Sequence, residues 1–600
     1  MRRALIPPLV VATLALLLVA PGGAIAAPGA ATAVSGADAP TAASFDAPAS
    51  ATAAECDTGD GTELVGCWNG THYEDELAFN QSDGLTDAEL EALTDLTMAR
   101  VEHVRERPFR EDVPVETVTR EEFINDTAGG ASGPDAGDDD SDAEFQRWND
   151  QVWKALFVVG EDEASGDAID TVFGGAVSGF YSPSEDRIVL VIPEGEAVQI
   201  SPSTLAHELV HGMQDQYHDL TRPRYVGATQ DGDLAVDGIV EGEAVHVEER
   251  YDARCADEWR CLDEPDADGG GGGSAADYNF GILQTVLQPY SDGALYVEEL
   301  VETEGWVAVD AAMESPPEST AEVIHRNPDY ETREVDFEDE ATGGWETYPE
   351  QGVDGAETTG EASMFVMFWY QSFAYEYPVL DPSASVRENV RIHTRPDEEL
   401  RTRANYNYAH EATDGWAGDE LYPYRNTEAE GDDAGDTRDG YVWVTEWQTA
   451  GDAADFHEAY LRMVTAHGDG GYEAGTVYEV EDGDFRGAYG IERDGTTVTV
   501  AHAPEPAGVL ELRPDADLEL PSTDDGIGTD DDANETDGDV SDDDPANGEN
   551  DSENDSTNGS DDDGGQTTDD ASTGEAPGFG IAVAVAGLLA ASLLARRSRP

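Results

Sequence analysis

Between Thr86 and Arg105 the apolar residues Leu90, Leu93, Leu96, Ala99, Val101 and Val104 recur every two to four positions, the spacing of a helix with one buried face. A second helix is expected over Ala143–Val159. The period then changes. Ala176–Ser182 and Arg187–Ile192 are rich in β-branched and aromatic residues, and Pro183-Ser-Glu-Asp186 between them has turn chemistry, so the pair reads as a hairpin. It runs into a helix at Pro202–Gln216, where Leu205, Leu209 and Met213 form a stripe, Ser201 suits the N-cap and Pro202 the first helical position. Asp233–Tyr251 repeats the helical pattern through Val236, Val240, Ala244 and Val247, as do Phe280–Leu300, Gly305–Met313 and the aromatic-rich Glu361–Ala374. Tyr441–Trp447 reads as a strand, Asp452–Val464 as a helix, and Val477–Glu481, Gly487–Glu492 and Thr496–Val500 as a small antiparallel sheet. Strands feeding a helix, followed by a second mixed region, predict an α+β fold with a C-terminal α+β extension. No internal repeat is evident.

Segments that cannot build a core flank this periodic region. Residues 1–26 have the charged start, apolar run and small-residue end of a secretory signal peptide, and Arg2-Arg3 leaves the general and twin-arginine routes both open. Residues 27–55 are mostly Ala, Ser, Thr, Pro and Gly and read as a disordered leader. Gly129–Asp142 and Gly269–Gly273 read as loops. From 521 to 575 the chain is nearly all Asp, Asn, Ser, Thr, Gly and Glu, an acidic disordered spacer carrying glycosylation sequons at Asn534, Asn550, Asn554 and Asn558. The folded part is expected to divide into 56–330 and 331–515.

The chain closes with Pro577-Gly-Phe-Gly580, an apolar run Ile581–Ala595 and the basic Arg596-Arg597-Ser-Arg599. This terminus resembles the PGF-CTERM sorting signal of archaeal surface proteins. The resemblance implies that an archaeosortase-type processing enzyme removes residues 577–600 and joins the chain to a membrane lipid. A retained apolar helix would also tether the protein to the membrane, with its folded part on the extracellular face.

Charge narrows the partners. Against 131 acidic residues stand 31 basic ones, a formal net charge of −100 spread over folded-looking segments and spacer alike. Such a surface stays soluble where salt screens almost completely, so the acid is read as halophilic solvation, and a haloarchaeal source is expected. Nucleic acid is excluded as a partner because no basic stripe could neutralise phosphates. The four cysteines fall into the close pairs Cys56/Cys67 and Cys255/Cys261, expected as two local disulfides in an exported chain.

The chemistry lies at His207-Glu208-Leu209-Val210-His211. Two histidines four residues apart on a helix share a face and reach one Zn²⁺, and Glu208 can act as general base on metal-bound water. A catalytic zinc needs a third protein ligand. Asp237-Gly-Ile-Val-Glu-Gly-Glu-Ala-Val-His246 offers Glu241 and Glu243, about 200° apart on a helix, so only one can face the ion. Glu241-Gly-Glu-Ala244 resembles the EGxA element of gluzincin metallopeptidases, which implies Glu241 as the ligand, with Glu243 as the alternative. Pro316–His325 and Gly415-Trp-Ala-Gly-Asp419, taken with the motif, resemble elements of secreted prokaryotic proteins predicted to be HExxH metallopeptidases. The resemblance spans roughly Leu85–Met463 and implies a zincin-like catalytic region with the HExxH helix beside a small sheet. It implies a peptide or protein substrate and names none.

Other groups carry weaker expectations. His325 is the leading donor to the developing oxyanion, against a plain structural role, with Tyr290 and Tyr296 behind it. Asp215 and Asp237 could orient the ligand imidazoles or be merely solvated. His218 and His246 are marginal as ligands. Rival readings are a non-catalytic surface binding protein that retains a zinc site, and a zinc hydrolase of a non-peptide amide.

Overall fold

The computed structural model describes residues 65–123, 140–265, 278–380, 407–427, 439–468 and 474–521, except for 177, 178, 193, 194, 196, 376 and 378, together with Cys56 and the stretches 16–18 and 581–583. The signal peptide, the leader, most of both Gly-rich loops, the spacer with its sequons and nearly all of the sorting tail therefore lie outside the described residues. Among those described, no helix is long and apolar enough to cross a membrane.

Local signals set the first helices. α1 (Asp87–Arg105) starts at a reciprocal capping box between Thr86 and Glu89. β1 (Val115–Thr119) follows, then α2 (Asp140–Ala155), the helix expected over Ala143–Val159, and then α3 (Ser165–Ala176), a helix the sequence pattern did not reveal. The expected hairpin forms as β2 (Gly179–Ser182) and β3 (Arg187–Ile192), with Asp186 left-handed at φ 52° in its turn. β1 lies parallel to β3, pairing Val115 with Ile188, so the small sheet has the order β1-β3-β2.

α4 (Pro202–His218) carries the motif. The Ser201 side chain accepts from the Thr204 amide at 3.2 Å, Pro202 stands at N1 and the left-handed Asp219 closes the C-terminus. α5 (Gln230–Asp257), capped by Thr229, packs against α4 over a core of Leu205, Leu209 and Met213 with Leu93, Met98 and Val101 of α1, Ile188 and Leu190 of β3, and Ala244, Val247 and Tyr251. The cysteines pair as expected, Cys56 with Cys67 and Cys255 with Cys261, the latter stapling the end of α5.

The helix expected over Phe280–Leu300 is interrupted. α6 (Phe280–Val286) gives way to a π-helical turn at Pro289–Gly293 before α7 (Ala294–Glu304). Pro289 has no amide hydrogen, so one rung of the helical ladder is lost and the chain widens around it. α8 (Trp306–Glu314) and α9 (Thr320–His325) follow.

Beyond β4 (Trp345–Thr347) and α10 (Gly360–Ala374) the C-terminal sheet is larger than expected. β5 (Trp416–Asn426), β6 (Asp439–Trp447), α11 (Ala450–His467), β7 (Tyr478–Val480), β8 (Gly487–Asp494), β9 (Thr497–Ala503) and α12 (Pro506–Leu512) complete it. The six strands run antiparallel in the order β7-β8-β9-β6-β5-β4. One apolar cluster joins Trp153, Val158, Ile169 and Ile282 to Phe365, Phe368, Trp443 and Phe456, so residues before and after 330 interleave in a single core. The fold is α+β.

Candidate metal centre

α4 presents His207 and His211 on one face, and α5 crosses it with Glu241. The ligand atoms of these three residues all lie within 4.8 Å of one another. Glu241 Oε2 is 3.2 Å from His207 Nε2 and 3.4 Å from His211 Nε2. Donors about 2.0–2.2 Å from a tetrahedral ion are spaced about 3.3–3.5 Å apart, so these gaps fit a small divalent metal. His211 Nε2 and Glu241 Oε1 are buried without a hydrogen-bond partner, the state of donors arranged for something other than each other. His207, Glu208, His211 and Glu241 are each 0% exposed.

The second ring nitrogens are fixed from behind. His207 Nδ1 lies 2.9 Å from Glu248 Oε2, and His211 Nδ1 lies 2.8 Å from Gln214 Oε1. Each contact places a proton on Nδ1 and leaves the Nε2 lone pair for a metal. Gln214 in turn donates from Nε2 to Val240 O and Glu243 Oε2, both at 2.9 Å. Glu243 is held by Arg105, which also binds Asp310 and lies over the Trp306 ring at 4.2 Å.

Glu243 thus faces away from the metal group, and the choice between the two glutamates falls to Glu241. Neither Asp215 nor Asp237 orients an imidazole. Asp215 accepts from Tyr181 Oη at 2.9 Å and the Leu220 amide at 2.7 Å, closing the end of α4. Glu248 and Gln214 do the orienting instead, and spacing could have found both. Glu248 stands seven residues after Glu241, two turns along the same face of α5, and Gln214 stands three after His211.

Without a metal the site is an ion pair. Burial works against a charge on His207, but its hydrogen bonds with Glu241 and Glu248 outweigh that and hold its pKa up at about 10. Burial likewise opposes the Glu241 carboxylate, and the His211 and His207 imidazoles bring it down to about 2. A bound cation would take the place of this proton.

The EGxA glycine has a physical reason. A Cβ on Gly242 would come within 2.4 Å of the Gly293 carbonyl, and one on Gly293 within 2.3 Å of Gly238 O. Gly238 and Gly242, one turn apart, therefore let the backbone of the π turn lie directly on α5. That approach brings Tyr290 over the site, its ring parallel to His207 at 6.2 Å and an interplanar angle of 11°.

His325 lies elsewhere. Its Nε2 is shared between both oxygens of buried Glu361 at 2.9 and 3.1 Å, and its ring stacks on Tyr330. Of the three groups expected as oxyanion donors, Tyr290 is the one beside the metal group, while Tyr296 hydrogen-bonds Glu322 at 3.2 Å. His218 pairs with Glu314 at 3.1 Å, and His246 sits edge-on to Trp306. Neither joins the metal group.

Residues 346–513 match a family described only as a domain of unknown function (DUF8575), and residues 576–597 match the PGF-CTERM motif. No curated protein and no solved structure matches the chain. The PGF-CTERM motif marks archaeal proteins that are sorted to the cell surface, processed by an archaeosortase and anchored to the membrane through the C-terminus, and this chain is one of them. The DUF8575 span begins inside β4 and covers α10, α11, α12 and the other five strands of the sheet. Glu361, the partner of His325, lies inside it.

Proposed function

We propose that this protein is a cell-surface zinc metallopeptidase, with His207, His211 and Glu241 as ligands and Glu208 as general base. The supporting observation is the convergence of two imidazoles and one carboxylate from an HExxH helix and its neighbour, at spacings that suit a tetrahedral ion. Bound zinc would supply Lewis acidity, polarising the scissile carbonyl and lowering the pKa of water. Glu208, buried on the same helix between the two ligand histidines, would accept a proton from that water and deliver it to the leaving amine nitrogen. Tyr290, whose ring lies parallel to His207, would donate a hydrogen bond to the oxyanion. The acid-rich composition supports a haloarchaeal setting, in which the surface carboxylates keep the chain hydrated.

Complete enclosure of the four central residues favours one rival, a surface binding protein with a structural metal. Purified protein assayed for stoichiometric zinc and for cleavage of casein and a broad peptide library separates the two. The peptidase reading requires cleavage that is lost in Glu208→Gln and kept in an exposed Glu91→Gln control. Zinc bound without cleavage of any peptide establishes the rival.

A further inference from the structure

Asp237 lies one helical turn before Glu241 on α5, so its carboxyl shares the face that holds the metal ligand. It is 7% exposed, whereas every central metal-site residue is fully enclosed. Among the described residues no hydrogen bond or ion pair reaches it. This is unusual for so buried a carboxyl, because an unpaired buried charge costs several kcal/mol in general. Its companions make matters worse. Burial raises its pKa well above the ordinary carboxylate value, and the neighbouring Glu241 and Asp233 charges push the same way.

The neighbouring acids Glu243, Glu248, Asp233 and Asp231 each have a partner. Glu243 has Arg105, Glu248 has His207, and Asp233 accepts from the Gly227 amide at 2.6 Å. Asp231, at the start of the same helix, accepts from the Thr320 amide at 2.9 Å. Asp237 is the one left facing the site with its acceptor capacity unused and some solvent contact kept. Tyr290 and Glu248, both half-buried, are polar side chains at the site that also keep such contact.

We propose that Asp237 is a substrate-recognition residue that binds a cationic nitrogen of the peptide, either its free α-ammonium or a Lys or Arg side chain next to the scissile bond. The inference rests on the metal site proposed above and gives that site a substrate class. An ammonium supplies the donors and the positive charge that the fold leaves out. A charge-assisted bond of this kind in a buried setting gives about a 10- to 100-fold preference over a neutral isostere. Its burial also separates it from the diffuse attraction of any cation to a surface of net charge −100, which collapses with rising salt while a buried pair is screened far less.

The test measures binding, so it does not require turnover. Four zinc-directed ligands, the hydroxamates of lysine, norleucine, Nα-acetyl-lysine and Nα-acetyl-norleucine, are titrated calorimetrically into the zinc-loaded full chain at 0.5 M and 3 M KCl. At least one cationic ligand should bind 10-fold or more tightly than Nα-acetyl-norleucine hydroxamate at both salt concentrations. The advantage should disappear in Asp237→Asn and survive in Asp237→Glu. Preference for norleucine over its acetylated form assigns the α-ammonium, and preference for Nα-acetyl-lysine over Nα-acetyl-norleucine assigns the side chain. The proposal is overturned if the four bind equally, if none binds, if the preference vanishes at 3 M KCl, or if Asp237→Asn weakens all four alike. Cleavage assays with Glu208→Gln judge the peptidase reading separately, because hydroxamates bind a metal whether or not the protein turns over peptides.

Discussion

His207 Nδ1 and Glu248 Oε2 stand 2.9 Å apart, joining a histidine on α4 to a carboxylate two turns along α5 from Glu241. One helix therefore supplies both the proposed third ligand and the group that aims the first. Glu248→Ala should lower zinc affinity about 10- to 100-fold with the fold intact, because Glu248 is only partly buried and the contact it loses is to a ring whose orientation it sets. Competition with a chromogenic chelator measures this. Glu248→Gln, which keeps an acceptor oxygen, should lose less.

Arg105 and Glu243 form a buried pair behind Gln214, each about 3% exposed. Removing the cation alone strands a carboxylate in the interior, so Arg105→Met should destabilise the chain by about 3–5 kcal/mol in chemical denaturation. The double variant Arg105→Met/Glu243→Gln should recover much of that loss, because the stranded charge goes too. Equal stability of the single and double variants would contradict the pairing.

In the metal-free protein the pH dependence has a definite sign. His207 is raised from an ordinary value near 6.5 to about 10, so the stability it adds is complete below pH 6.5 and is lost as pH rises through 10. Glu241 is lowered from 4.5 to about 2, so its contribution is complete above pH 4.5 and is lost as pH falls through 2. The combined contribution of these two groups is fullest between pH 4.5 and 6.5. Zinc bound as proposed would displace the His207 proton, so its stabilising effect should grow as pH rises from 6 to 9. Thermal melts across this range, with and without zinc, test both signs.

Gly242→Ala should cost about 1–3 kcal/mol, since the new methyl meets the backbone of the π turn at 2.4 Å and no side-chain rotation can relieve it. Gly451→Ala in the first turn of α11, where the nearest atom is Thr449 Oγ1 at 3.3 Å, should be neutral or mildly stabilising by up to about 1 kcal/mol. Melting temperatures of the two variants give the comparison.

Tyr290 and His325 separate by kinetics. If the peptidase reading holds, Tyr290→Phe should reduce kcat by about 10²-fold with little change in KM, the effect of losing one oxyanion donor. His325→Ala should act on stability, because it leaves Glu361 buried without its partner. Steady-state kinetics and melts of both variants decide between the two roles.

The parts of the site legible in the sequence are those governed by spacing along one helix. Ser201 and Pro202 announce α4, the four-residue step places His207 and His211, and the 200° between Glu241 and Glu243 states the choice between them. Contacts between distant segments left no such trace. β1 pairs with β3 across more than sixty residues, and its mixed Val115-Glu-Thr-Val-Thr119 sequence does not stand out as a strand. β5 leaves little trace because it starts in Gly415-Trp-Ala-Gly-Asp419, whose glycines break the alternation of a strand. Its chemistry is structural, with Asp419 accepting from Thr359, Gly360, Trp416 and Trp443 at the start of α10. The structural role of His325 is likewise set by a distant residue, since its partner Glu361 lies 36 residues on, beyond the reach of periodicity.

The interleaved core bears on how the matched family should be handled at the bench. A cut at residue 346 would strip Trp153, Val158, Ile169 and Ile282 from Phe365, Phe368 and Trp443 and bare the apolar side of α10 to water. The DUF8575 boundary therefore marks where sequence recurs rather than where a polypeptide can stand alone. An excised 346–513 fragment should be sticky and poorly soluble, so biochemistry on this span is better done with the preceding half still attached.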